Sequence, residues 1–244
     1  RRHVTMVRRI DDALADLIQL LRDLEIDERT LVVLTSDNGT LREGGLDNVG
    51  SYRPDYLDTV GRYDGTKLDL WEGGVRMPTI VRWPSVIKAG SKSASASQFH
   101  DWMATFCELS GVSVPAVSDG ISIVPTLTGK GKQAPGIVYT EFLVRGKTPS
   151  YQEFEPSRRG RPHGQMQSVL IGDYKGIRVD VKGHQDAFEV YHTLNDFKET
   201  TNLAGQSEAP TQKQFQAAVL RSRRIDPLSK RPYDNALIPP VTGI

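Results

Sequence analysis

Cysteine is nearly absent. Cys107 stands alone, so no internal disulfide can form and no multi-cysteine zinc site can be built from this chain. It lies in Phe99 to Leu109, a segment of helical period, where a buried structural thiol is expected rather than a nucleophile. Excess charge is absent too: 31 basic and 30 acidic side chains leave a net charge of +1. No global field therefore draws nucleic acid or an anionic membrane, and either would need a local patch. The short candidates, Arg158-Arg159-Gly160-Arg161 and Arg221 to Arg224, read as solvated surface, so no nucleic-acid partner is expected. There is no run of about eighteen apolar residues, which excludes a transmembrane helix on sequence grounds. No secretory leader is recognisable, and Arg1 already falls in a segment of helical pattern. The expectation is a piece of a longer polypeptide, whose compartment the sequence leaves open.

What is present begins with Val7, Ile10, Leu14, Leu17, Leu21 and Leu24, whose three- and four-residue steps predict an amphipathic helix over Val4 to Leu24 that covers a sheet. Thr30 to Thr35 follows as a β-branched strand, read as buried and as half of a crossover unit. Thr40 to Thr66 is irregular, and such a segment after a sheet strand is usually functional. Met77 to Trp83 predicts a second strand, Phe99 to Leu109 a helix capped by Gly111, and Ile137 to Phe142 a third strand of the main sheet. Arg145 to Gln165 carries prolines and basic residues and reads as a linking loop. Beyond it, Gln167 to Ile171, Tyr174 to Val181 and Phe188 to His192 predict an antiparallel meander turned at Gly172-Asp173, and Thr211 to Arg223 a last helix. The expected domains are residues 1–144, an α/β domain, and 145–244, a small antiparallel subdomain with a proline-rich tail.

Two stretches carry chemistry. Thr30 to Gly39 is an apolar run that stops at Asp37-Asn38-Gly39, delivering a carboxylate and an amide at a strand's carboxyl end, where ligands bind in open α/β sheets. Gly65 to Gly74, Gly-Thr-Lys-Leu-Asp-Leu-Trp-Glu-Gly-Gly, carries Lys67. Hard oxygen donors and an ammonium suit a divalent cation and an anionic oxygen ligand. Each has an ordinary alternative: Asn-Gly is a standard turn signal, and most lysines are solvated. Of the histidines, His163 sits in the basic loop within reach of a cleft, and His100 reads as a partly buried structural residue.

The joint order of these pieces resembles the sulfatase family: a strand ending Thr-Ser-Asp-Asn-Gly, then Gly65-Thr-Lys67, then Trp71-Glu-Gly-Gly-Val-Arg-Met-Pro78. Val81-Arg-Trp-Pro84, Asp119 to Leu127, Gly172-Asp-Tyr-Lys175 and Glu199-Thr-Thr-Asn202 extend the likeness over most of residues 4 to 205. The resemblance implies a mixed-sheet α/β sandwich of the alkaline-phosphatase-like type, present in part, and hydrolysis of a sulfate monoester. It implies Asp37 and Asn38 as calcium ligands and Lys67 as the catalytic lysine that grips the sulfate; His163 is a candidate substrate contact from its place in the basic loop alone. It also implies a formylglycine nucleophile from a Cys-x-Pro-Ser-Arg motif that this sequence does not contain, so the upstream part of the polypeptide is an expected partner. A periplasmic, extracellular or lysosome-like compartment follows from the same resemblance. The sequence departs from the pattern at Asp64, where the family carries arginine, and at Thr40-Leu41, where many members carry histidine. The open alternatives are a phosphatase or phosphonate monoester hydrolase of the same superfamily, or a catalytically silent binding fragment.

Overall fold

The computed structural model describes residues 2–41, 61–224 and 233. Most of the irregular stretch after Thr40 and most of the tail lie outside them. The chain divides into two compact units, the described parts of Arg1–Ser36 with Pro78–Gly136, and of Asp37–Met77 with Ile137–Ile244.

In the first unit, helix α1 (Arg2–Asp23) leads through a 3-10 turn, Asp27–Arg29, into strand β1 (Val32–Thr35). Strand β2 (Thr79–Arg82) pairs with β1 antiparallel, Val32 opposite Arg82 and Thr35 opposite Thr79. Arg82 closes the pair by a bidentate bond to Asp27, whose planar fork matches the carboxylate. Helix α3 (Phe99–Ser110) ends at Gly111, whose φ of +68° is the left-handed cap that glycine adopts without strain. Asp101 and Thr105 fasten it, accepting from the amides of Ile121 (3.0 Å) and Ile123 (3.0 Å), and the short helix α4 (Val124–Thr128) follows.

Two expectations change here, those for strand β1 and helix α1. Strand β1 is half-buried, not buried, and its strand partner among the described residues is antiparallel rather than the parallel neighbour of a crossover. Helix α1 does not cover a sheet: Val7, Ile10 and Leu17 are exposed. In α3 the apolar stripe Phe99, Met103, Phe106 is likewise exposed, while Asp101, Ala104, Thr105 and Cys107 are buried. Periodicity shows that a helix has an apolar face, and only the presence of a partner decides whether that face is covered.

The second unit is built on a four-stranded antiparallel sheet in the order β3 (Tyr139–Lys147), β4 (Pro162–Ile171), β5 (Tyr174–Arg178), β6 (Glu189–His192). The expected meander is therefore present. The strand at Ile137 to Phe142 belongs to this sheet, not to that of β1: Tyr139 lies opposite Val169 and Phe142 opposite Met166. It also runs on through Arg145, so the expected loop from Arg145 to Gln165 is flanked by strand at both ends. One face packs on helix α5 (Gln212–Ser222) through Val169, Phe188, Val190, Phe215 and Tyr233; a second cluster joins Met166, Ile177 and Tyr191 to Leu70 and Trp71. The latter two flank helix α2 (Glu72–Val75), so the segment bearing Lys67 is built into the core of this unit.

Candidate functional site

The ends of the two motif stretches are tied by backbone bonds. Gly39 N donates to Gly74 O (2.9 Å) and Lys67 N to Thr40 O (2.6 Å). A Cβ on Gly39 would lie 2.0 Å from Gly73 O, so an Asn-Gly that read as a turn signal also permits a close backbone approach. Lys67 Nζ stands 3.9 Å from Asp37 Oδ2, and their side chains are 40% and 78% exposed. The Asn38 amide nitrogen donates to Gly39 O (2.9 Å), which leaves the amide oxygen as its remaining polar end.

The lysine sits on a tight turn. Asp69 N donates to Thr66 O (2.8 Å), closing a four-residue loop with Lys67 and Leu68 at its centre. Leu68 has φ +84°, a region rarely occupied by a bulky side chain. The Asp69 carboxylate is buried; it accepts from Thr66 N (3.0 Å) and from Thr148 Oγ1 (2.7 Å) and stands 3.7 Å from His163 Nε2.

Two further carboxylates anchor the same segment. Asp64 accepts from Glu155 N (2.7 Å) and faces Arg158 Nη1 (3.4 Å); burial outweighs these bonds and raises its carboxyl above the ordinary range. Arg158 is itself only 1% exposed and stacks 3.9 Å over the Trp71 ring. Glu72 is buried between Arg76 and Lys175, whose Nζ donates at 2.9 Å and stands 3.0 Å from Glu199. Burial pushes the Glu72 carboxyl up, but the two cations override it and hold it well below the usual range; Glu199, more deeply buried, is pushed up.

Sequence reading brought out Asp37, Asn38 and Lys67, and the structure brings these three together. His163 stands elsewhere than expected: it is buried on β4 rather than in a loop, opposite Gly146, with Nδ1 donating to Val144 O (2.9 Å). The basic cluster is solvated surface only in part, since Arg159 is exposed, Arg161 half-buried and Arg158 buried. Arg158 is buried on Asp64, Arg159 donates to the Phe154 and Gln152 carbonyls, and Arg161 pairs with Glu189. Arg223 of the second cluster is buried under the Tyr233 ring. The sequence reading assigned no role to Asp69, Thr148 or the Lys175–Glu199 pair, although Lys175 and Glu199 lie in two of the quoted family stretches.

A carboxylate and an amide oxygen are donors a hard cation accepts, so Asp37 and Asn38 fit calcium in kind. They are two of the roughly six to eight oxygens calcium takes. Among the described residues no group of three or more His, Cys, Asp and Glu is placed to hold a metal.

These elements define an α/β protein of the alkaline-phosphatase-like fold. The solved structure of BT4656 in complex with its substrate D-glucosamine-2-N,6-O-disulfate is 26% identical, with a TM-score of 0.58 over 86% of this chain and 37% of that one. Ps i-CgsB shows the same fold at 21% identity and a TM-score of 0.60, over 84% of this chain and 39% of that chain. The chain belongs to the sulfatase family: residues 1–112 match the sulfatase model, and residues 61–224 match that of the N-sulphoglucosamine sulphohydrolase carboxyl-terminal region. Similar curated proteins include the N-acetylgalactosamine-6-sulfatase of Mus musculus, 33% identical over 84% of this chain and 34% of its own length. The N-acetylglucosamine-6-O-sulfatase of Bacteroides thetaiotaomicron is 28% identical over 85% and 32%, and human steryl-sulfatase 33% over 52% and 22%. The chain thus spans about a third or less of these relatives.

Proposed function

We propose that this chain supplies part of the active site of a sulfuric ester hydrolase, cleaving a sulfate monoester to an alcohol and sulfate. The observation that carries the reading is the pairing of Lys67 with Asp37 at 3.9 Å, beside Asn38, on two backbone-tied loops. Asp37 and Asn38 would hold calcium, which when bound supplies positive charge toward the sulfuryl oxygens. The Lys67 ammonium binds an ester oxygen and offsets the negative charge that grows on the leaving oxygen as the S–O bond breaks. His163 is kept as a substrate contact through its face on the groove of Val144, Arg145, Gly146, Asp180 and Lys182, a space of about 700 Å³. The nucleophile is proposed to come from residues outside these 244, since no Cys-x-Pro-Ser-Arg occurs among them. Sulfated sugars are the favoured substrate class, because relatives matching over more than four-fifths of this chain are named as hexosamine sulfatases. A formylglycine nucleophile would separate this reading from phosphate or phosphonate ester hydrolysis.

Lys67→Ala in the intact enzyme tests the proposal. With 4-nitrophenyl sulfate, kcat should fall on the order of 10²–10³-fold, the scale of losing one preorganised charge-stabilising donor. Turnover equal to wild type would remove Lys67 from the reaction.

A further inference from the structure

The turn that carries Lys67 holds an unfavourable backbone angle, and the structure shows what holds it. A four-residue turn with positive φ at its third position is normally occupied there by glycine or asparagine. Here that position is Leu68, at φ +84°. Such a conformation persists only where its surroundings over-determine it, and these conformations cluster at functional sites.

Lys67, the preceding residue, is held on its amino side by its own N donating to Thr40 O (2.6 Å), and Leu68 holds it on the other. The backbone bond from Asp69 to Thr66 closes the turn, and the Asp69 side chain closes it a second time by accepting from Thr66 N. That carboxylate is fixed in turn by Thr148 Oγ1, which donates to it at 2.7 Å, while His163 packs beside it with Nε2 3.7 Å away. Thr148 belongs to the segment just after β3, where its own N donates to Arg161 O (3.0 Å) and its O accepts from Gly160 N (3.0 Å). His163 cannot pivot freely, because its other ring nitrogen is bonded to Val144 O. The Asp69 and Thr148 side chains are buried, so their bond forms away from competing water.

We propose that Thr148 and Asp69 form a clamp that positions Lys67, with the antiparallel sheet acting through it on the reactive lysine. The assignment rests on the role given above to Lys67. Thr148 and Asp69 are positioning residues: they touch the turn, not the ester.

The test uses the intact enzyme and 4-nitrophenyl sulfate. Thr148→Val removes the hydroxyl at nearly constant volume and should lower kcat about 10-fold with little change in KM, because a displaced Lys67 fails mainly as charge develops. Thr148→Ser, which keeps the hydroxyl, should return kcat to within about 3-fold of wild type. Adding Leu68→Gly to Thr148→Val should restore part of the loss, since glycine adopts φ +84° without a clamp; a general packing defect would not respond. Wild-type kcat in Thr148→Val, or a loss that neither Ser nor Leu68→Gly relieves, overturns the clamp. If Thr148→Val does not fold, Asp69→Asn carries the comparison: unchanged kcat overturns the proposal, and a loss of about 3-fold or more at unchanged KM supports it. Lys67→Ala, measured alongside, separates the two claims. If it cripples turnover while Thr148→Val does not, the clamp fails and the role of Lys67 stands; if it is harmless, the role of Lys67 fails first.

Discussion

Lys175 is an ammonium buried between Glu72 and Glu199, and its removal would leave two carboxylates facing each other out of water. Losing one partner of a buried pair costs roughly 3–5 kcal/mol, because a charge is stranded. For a chain of this size that is a fall in melting midpoint of roughly 6–20 °C in Lys175→Met at pH 7.5. The sign of the pH response follows from the same cluster. In the wild type Glu72 is held below its ordinary 4.5, so its contribution is complete above 4.5 and lost as pH falls below it. Without Lys175, Glu72 keeps Arg76, but Glu199, already pushed up by burial, loses its main opposing cation, and stability then grows as pH falls through its raised value. The gap in melting midpoint between variant and wild type should therefore narrow from pH 7.5 to pH 5; an unchanged gap would show that Lys175 does not compensate these charges. Residues of this kind were poorly legible in the sequence. Asp37, Asn38 and Lys67 stand in short motifs whose order is itself a signal, whereas Arg158 and Asp64 are partners across 94 positions. A charge does not announce its burial until its counter-charge is located.

At the scale of elements, the meander β4 to β6 was legible because the Gly172-Asp173 turn and the short spacings make its pairings local. The pairing of β3 with β4 was not, since nothing in Ile137 to Phe142 names its neighbour; the intervening segment looks like a linker because its bonds go to distant partners. The seating of α5 on the sheet turns on one position. A Cβ at Gly176 of β5 would come within 2.5 Å of Phe215 Cδ1, so the glycine is a socket for the ring rather than a flexible joint. Gly176→Val should overpack this contact by roughly 1–3 kcal/mol. The melting midpoint should fall by roughly 2–12 °C. Adding Phe215→Leu, which shortens the intruding side chain, should recover part of that loss, as neighbours in contact are non-additive. Independent, additive losses would place the strain elsewhere. Lys67 should be less affected than by Thr148→Val, because α5 packs behind the sheet core and not on the lysine turn.

Across the molecule, apolar surface is distributed unevenly. The second unit buries Trp71, Phe154, Phe188, Phe215 and Tyr233 almost completely. The first leaves Ile10 of α1 61% exposed, Ile80 of β2 61%, and Phe99 and Met103 of α3 51% and 53%. Single exposed hydrophobics are ordinary, but several along one helix, as Val4, Val7, Ile10, Leu17, Leu20 and Leu24 of α1 and the turn after it, make a surface suited to being covered. The curated relatives are about three times as long as the matched region. On the function proposed above, the nucleophile, the remaining metal ligands and a cover for these surfaces would all come from residues outside these 244. The 244-residue chain, purified alone, should therefore bind 1-anilinonaphthalene-8-sulfonate strongly, self-associate in sedimentation, and give negligible turnover of 4-nitrophenyl sulfate with calcium. The intact enzyme should bind the dye weakly and turn over. A chain of these 244 residues that is monomeric and dye-silent would show that the faces of α1, β2 and α3 need no cover. One that turned over the ester robustly would show that the site is complete without further residues.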